Sequence, residues 1–282
     1  MAERTTDPAT GLFPRIDHGK TADEVVHQIE LLVLEGILRV GDRLPAERQL
    51  SRQFDVSRPI LREALKTLEN RGLLVSRHGG GTFVDDVIGQ VFSKPVMDLI
   101  ARHRKASHDY LEFRREMEGM TAAFAAQRAT SADLALLSKT VEAMKKAHRS
   151  NDFARESELD VEFHNAIGEC AHNIVLMHTL RSCYRLLSDG VFYNRAMVYT
   201  LPGARNALLE QHLAIHQAIM AGDPDAARSA SQAHIDFIAQ TIRDAERNID
   251  RERISQLRLQ QRTSDQTRKT PLYVNSEPEA AQ

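Results

Sequence analysis

The chain has 282 residues, 42% hydrophobic and 27% charged, an ordinary globular composition with room for two domains. Its net charge of −2 excludes a uniformly basic nucleic-acid coat, and its two cysteines, Cys170 and Cys183, exclude a disulfide framework and a thiolate zinc site and fit a reducing cytoplasm. Apolar runs stop at five residues (Ala122 to Ala126), too short to span a membrane, and the absence of Trp argues against a stacking platform for single-stranded nucleic acid.

Residues 1–17 mix Pro, Thr, Asp and Gly without periodicity and read as a mobile arm with no apolar signal core. Thr21-Ala-Asp-Glu24 has the form of a capping box. It opens a helix with apolar residues at Val25, Val26, Ile29, Leu32, Val33 and Ile37. Gly41-Asp42 is a turn, and Pro45 suits the first turn of a second helix with Leu50 and Phe54 inward. Asp55-Val56 is a short turn, and Ser57 caps a third helix that buries Ile60, Leu61, Ala64, Leu65 and Leu68 before Gly72. Leu73 to Arg77 and Thr82 to Val84 flank His78-Gly79-Gly80-Gly81 as a glycine-tipped hairpin. After Val84 strand signals nearly vanish. Long helical patterns follow, with breaks near Ser107, Thr130-Ser131, Ser150-Asn151, His172-Asn173, Pro202-Gly203 and Gly222-Asp223-Pro224. The fold expected is therefore mainly α: a winged helix-turn-helix at 18–86, a linker at 87–106, an all-α antiparallel helical bundle at 107–247 and a polar tail at 248–282, frayed and then disordered.

The stretch from Arg48 to His78 holds seven Lys/Arg against three Asp/Glu, a local positive island. A third helix of this kind enters the major groove with its N-terminal end leading, where the sequence places Ser57, Arg58, Pro59 and Arg62. Arg58 and Arg62 are four apart and share a face, and the arginine fork matches the acceptor pair on guanine. Arg48 reaches the backbone or a base, and the glycines beside His78 let a hairpin tip approach a narrow groove. A solvated helix face is the alternative for each arginine taken singly. Leu44-Pro-Ala-Glu-Arg-Gln-Leu50, Val56-Ser-Arg-Pro-Ile-Leu-Arg-Glu-Ala-Leu65 and Gly79-Gly-Gly-Thr-Phe-Val84 together resemble the DNA-binding domain of GntR-family bacterial transcription regulators. The resemblance implies that Arg48, Ser57, Arg58, Arg62, His78 and Gly79 meet DNA. Pro59-Ile60 replaces a polar pair often found there.

Asp160 and His164 are four apart, so they share a helix face, and His212 and His234 lie on either side of the Gly222-Asp223-Pro224 break. If three helices pack side by side, one carboxylate and three imidazoles converge. That set suits Zn²⁺ first, with Ni²⁺, Mn²⁺ or Fe²⁺ if oxygen ligands complete an octahedron. Partly buried histidines with no metal are the plainer alternative. Residues 107–245 resemble the FCD effector domain of the FadR subfamily, through Glu112-Phe-Arg-Arg-Glu-Met-Glu118, Asp160-x-x-x-His164, His172-Asn173, Gln211-His212, Ala221-Gly-Asp223 and Ala233-His234. By that resemblance Asp160, His164, His212 and His234 ligate a divalent metal, and Arg114 rather than Arg115 grips a carboxylate effector; an ion pair between Arg114 and Glu118 is the competing reading. Asn194, Arg195 and Tyr199 are further pocket candidates. His216 is read as a neighbour of the ligands or a surface residue, and His172 as a capping or packing residue. Phe54-Asp-Val-Ser-Arg-Pro59, Glu118-Gly119 and Ala171-His-Asn-Ile-Val-Leu176 resemble the branch with pyruvate- and lactate-responsive members, which implies a 2-oxo or 2-hydroxy acid.

The expectation is a cytoplasmic homodimer, not an enzyme, that binds a palindromic double-stranded operator, acts as a repressor and senses a small carboxylate. The alternatives are the same fold with a purely structural metal or another carboxylate effector, and a metal-dependent hydrolase acting on a small acid.

Overall fold

The computed structural model describes residues 21–77, 79–86, 103–188 and 203–268. The expected arm, His78, most of the expected linker, Asn194, Arg195, Tyr199 and the end of the tail lie outside the described residues.

Helix α1 (Ala22–Leu34) begins at the expected capping box: Glu24 N donates to Thr21 Oγ1 at 3.4 Å, and Thr21 N donates to Glu24 Oε2 at 3.0 Å. Its buried face carries Val25, Val26, Ile29, Leu32 and Val33. The helix ends sooner than its apolar pattern suggests, because Gly36 takes a left-handed φ of 69°. Ile37 therefore falls beyond the helix and is 49% exposed. Helix α2 (Glu47–Phe54) has Ala46 as its N-cap, so Pro45 precedes the helix and is not in its first turn. Helix α3 (Arg58–Asn70) has Ser57 at the N-cap and Pro59 in its first turn, but the Ser57 side chain makes no cap hydrogen bond. Leu61, Ala64, Leu65 and Leu68 are buried as expected, and Ile60 only partly.

Strands β1 (Leu74–Arg77) and β2 (Gly81–Val84) pair antiparallel with Leu74 opposite Val84 and Arg77 opposite Gly81. Leu44 N donates to Thr82 O, tying the segment before α2 to this wing. One core joins the three helices and the wing; Leu50, Phe54, Leu61 and Leu68 are fully buried within it, each contributing roughly 1.5–3 kcal/mol.

Among its described residues the second half has helices and short loops but no strand. It comprises α4 (Arg104–Arg128), α5 (Ser131–Ser150), α6 (Phe153–Cys170), α7 (Ile174–Ser188), α8 (Ala204–Met220) and α9 (Pro224–Arg268). The breaks fall where the sequence places them, except that α4 begins at Arg104, inside the segment read as linker. Thr130 builds a second capping box on α5, and Asp152 accepts from Arg155 N at the start of α6. Helix α9 packs along α4 and α8, and α6 packs against α5, α7 and α4. Loops of two or three residues between α4, α5, α6 and α7 make these neighbours antiparallel. Helix α9 continues past 247 into the segment read as tail, where Ile249, Ile254, Leu257 and Leu259 are exposed.

The head touches the bundle at one end. Arg39 Nη2 and Arg181 Nη2 both donate to Glu169 Oε1, at 3.0 and 2.5 Å, and His178 Nε2 lies 2.8 Å from Leu34 O. A Cβ on Gly36 would run into the Arg181 guanidinium, so glycine allows this approach as well as the helix end.

Candidate nucleic-acid interface and metal centre

The predicted DNA-contact residues within the described region are exposed on the head. Arg48 stands on α2, and Ser57, Arg58, Pro59 and Arg62 crowd the leading end of α3, all exposed. Glu47, which the sequence reading did not single out, gathers the two arginines: its Oε2 accepts from Arg62 Nε at 2.9 Å and from Arg58 Nη2 at 3.5 Å. Both guanidinium groups stay more than half exposed, so the contact orients them without burying their charge. Gly79 sits at the wing tip with φ 71°, and nothing crowds a Cβ built there, so backbone conformation alone selects glycine. Arg77, just before the tip, lies over the Phe83 ring at 4.7 Å.

The predicted metal ligands come together. Asp160 and His164 project from α6, His212 from α8 and His234 from α9, all buried. One ligand atom from each lies within 4.8 Å of the other three. His212 Nε2 is 3.0 Å from Asp160 Oδ1 and 3.3 Å from His164 Nε2, and His164 Nε2 is 3.9 Å from Asp160 Oδ1. Nitrogens bound at about 2.0–2.1 Å to a tetrahedral ion stand about 3.4 Å apart, so the donor set and its spacing fit a divalent cation. Phe163 meets the His164 and His212 rings edge-on and forms an apolar wall.

Arg114 is 2% exposed and is engaged in a closed network. Its Nε donates to Glu118 Oε1 at 2.7 Å and its Nη2 to the Tyr184 hydroxyl at 2.8 Å; that hydroxyl donates to Glu118 Oε2 at 2.7 Å. Glu118 Oε2 lies 3.2 Å from His164 Nδ1, and the Tyr184 ring stacks on the His164 ring at 4.7 Å. Burial pushes the Glu118 carboxyl up, but the Arg114 guanidinium, aided by His164 and the Tyr184 hydroxyl, outweighs it and holds the pKa at about 2. The Arg114–Glu118 pair weighed as the alternative to effector binding is thus formed. Arg115 points to the surface and pairs with Asp236.

His216 bonds Ser138 Oγ at 3.1 Å, apart from the ligand group, and His172 pairs with Asp133 at the start of α5. Tyr184 and Arg205 were not anticipated. Arg205 donates to both oxygens of Glu156 at 3.0 Å and lines a small cleft with Asp160 and His212. Tyr184 shares no helix with the ligands, so only packing reveals it; Arg205 stands two turns before His212 on α8, a same-face spacing that could have flagged it.

Residues 21–84 match the family described as "Bacterial regulatory proteins, gntR family", and residues 109–237 match the FCD domain. The chain is 41% identical over 228 residues to the Escherichia coli (strain K12) "Putative L-lactate dehydrogenase operon regulatory protein", covering 79% of this chain and 87% of that protein. This chain belongs to the GntR family. It joins a GntR reading head to an FCD domain in the manner of FadR-type regulators, and it is a DNA-binding transcription regulator. A second relative, the "Glc operon transcriptional activator" of Escherichia coli (strain K12), is 31% identical over 79% of this chain and 89% of its own length. A solved structure, "Streptococcus agalactiae GntR", superposes with a TM-score of 0.49 at 27% identity over 78% of this chain and 99% of that one. Both sequence relatives are named as regulators, in keeping with the expectation that the chain is not an enzyme.

Proposed function

We propose that this GntR-family regulator acts in the cytoplasm as a homodimer on a palindromic operator, and that a small carboxylate bound beside a divalent metal in the bundle sets its operator affinity. The observation that carries this reading is the buried convergence of Asp160, His164, His212 and His234 in a chain whose other half reads DNA. The metal is Zn²⁺ in the first instance, with Ni²⁺, Mn²⁺ or Fe²⁺ as alternatives. Such a cation supplies positive charge and open positions for the oxygens of an acid. Arg114 has its Nε and Nη2 engaged by Glu118 and Tyr184, so an incoming carboxylate meets its Nη1 edge. One relative is named for an L-lactate dehydrogenase operon, and lactate is a 2-hydroxy acid; this favours 2-hydroxy and 2-oxo acids such as lactate and pyruvate. Dimerisation follows from reading: two matched heads supply the base contacts that one small head lacks. We take repression as the mode of action, the acid releasing the operator.

A second reading has support in the same geometry. All four ligands are buried and Arg114 is already paired, as in a closed structural site with constitutive DNA binding. Calorimetric titration of lactate and pyruvate into metal-loaded and chelator-stripped protein separates the two. Our reading expects heat of binding that depends on metal and is lost in His164→Ala. Acid binding that survives stripping, or no acid binding by loaded protein, contradicts it.

A further inference from the structure

A neutral imidazole carries one N–H and one lone pair, and only the lone pair can bind a cation. The partner of the other nitrogen decides which is which. His164 Nδ1 faces Glu118 Oε2 at 3.2 Å, and its Nε2 faces His212 and Asp160. The polarity of the network leaves no choice. Arg114 has only N–H groups to offer, so the Tyr184 hydroxyl accepts from it and must send its own proton to Glu118. Glu118 also accepts from Arg114 Nε and is left as an acceptor alone. The nitrogen of His164 beside it must therefore carry the proton. His234 shows the same arrangement in weaker form, with its Nδ1 2.9 Å from Gln211 Oε1 on α8. A glutamine amide can present either its oxygen or its nitrogen, so this second clamp is less binding than the first.

We propose that Glu118 and Gln211 are positioning residues that fix the ring tautomers of His164 and His234, so that each turns a bare Nε2 toward the space it shares with Asp160 and His212. The inference rests on the metal reading above. It reaches further, because it assigns a task to the Arg114–Tyr184–Glu118 chain before any effector arrives: Arg114, a residue with no acceptor, sets the direction of every proton down to the metal-facing nitrogen.

In Glu118→Gln the new amide must give its oxygen to Arg114 Nε. Its NH₂ then faces His164 Nδ1 and drives the proton to Nε2, closing that ligand position. Gln211→Ala removes the second clamp, whereas Gln211→Glu makes it acceptor-only. The experiment uses the full chain stripped of metal, with Zn²⁺ titrated against a chromophoric chelator. The ring ¹⁵N shifts of His164 and His234 are recorded on the metal-free protein. We expect Zn²⁺ affinity to fall by about 10- to 100-fold in Glu118→Gln, to fall in Gln211→Ala, and to match or exceed wild type in Gln211→Glu. The wild-type rings should be Nδ1-protonated, and His164 should switch to Nε2-protonated in Glu118→Gln. Circular dichroism of the metal-free variants reports on folding. Should Glu118→Gln fail to fold, the ordering of the two Gln211 variants around wild type decides. Wild-type protein that binds Zn²⁺ while the folded variants bind it equally well overturns this inference and spares the metal reading. Wild-type protein that takes up no divalent cation overturns both.

Discussion

Arg58 and Arg62 share one carboxylate oxygen of Glu47, and this is the most specific feature of the reading head. An exposed ion pair of this kind adds little stability, typically under about 1 kcal/mol, so its value lies in aiming two forks from the leading end of α3. Arg58→Ala and Arg62→Ala should each cut operator preference by about 5- to 150-fold while leaving the fold intact, since a bidentate arginine–guanine contact is worth about 1–3 kcal/mol of discrimination. Fluorescence anisotropy on operator and scrambled duplexes checks this; a preference in both variants within about twofold of wild type would refute it. The arginines were visible in the sequence because a four-residue spacing on one helix fixes a shared face. Glu47 was not, because it reaches them across the turn between α2 and α3, and no spacing rule spans two helices. The same contrast holds in the bundle. Asp160 and His164 announce themselves as a helical pair, whereas Tyr184 joins them only through packing.

Helix α6 gathers three tasks along one rod. Asp160 and His164 face the ligand group, Phe163 fills the core behind them, and Glu169 ends the helix at the head. Phe163→Ala should destabilise the protein by about 3–5 kcal/mol, because it empties a fully buried ring site between His164 and His212. Chemical denaturation of metal-free protein measures this; a loss below about 1 kcal/mol would mean that the wall collapses freely. The elements themselves were well marked. Thr21 and Thr130 build capping boxes, and short polar breaks separate the helices where the sequence places them. Where an end differs in detail from the pattern, the cause is local. The apolar pattern of α1 runs on to Ile37, but Gly36 turns the chain out first. Ser57 takes the cap position without using its hydroxyl, which remains available to a phosphate. Helix α9 outruns the boundary expected at 247 because its polar residues are good helix formers, and composition alone does not separate an exposed helix from a coil.

Across the whole molecule, ligand group and reading head are joined by that one helix. Asp160 and Glu169 are nine residues apart, roughly 14 Å along the axis, and Glu169 is held by Arg39 of the head and Arg181 of α7 together. A ligand shifts DNA affinity only by favouring one placement of the heads, and this contact is where a placement can be held. Glu169→Gln should therefore leave operator affinity without acid nearly unchanged and shrink the change that acid produces; an undiminished acid response in anisotropy would remove Glu169 from the coupling. His178, which bonds Leu34 O beside it, has its pKa lowered from 6.5 by burial, with nearby Arg181 adding to the effect. The unfolded chain thus takes up this proton at higher pH than the folded one. The contribution to stability is full above about pH 6.5 and is lost as pH falls through the lower folded value. Between about pH 8 and about pH 5.5, thermal melting should drop more for wild type than for His178→Gln, which keeps an N–H for Leu34; equal drops would contradict the assignment. The most direct test of the account is anisotropy of a fragment from the chain's own promoter region, titrated with full-length protein, metal-loaded or stripped, with and without lactate and pyruvate. The account predicts tight binding that one of these acids weakens only in the metal-loaded protein. Binding that ignores both acids in every metal state would contradict it.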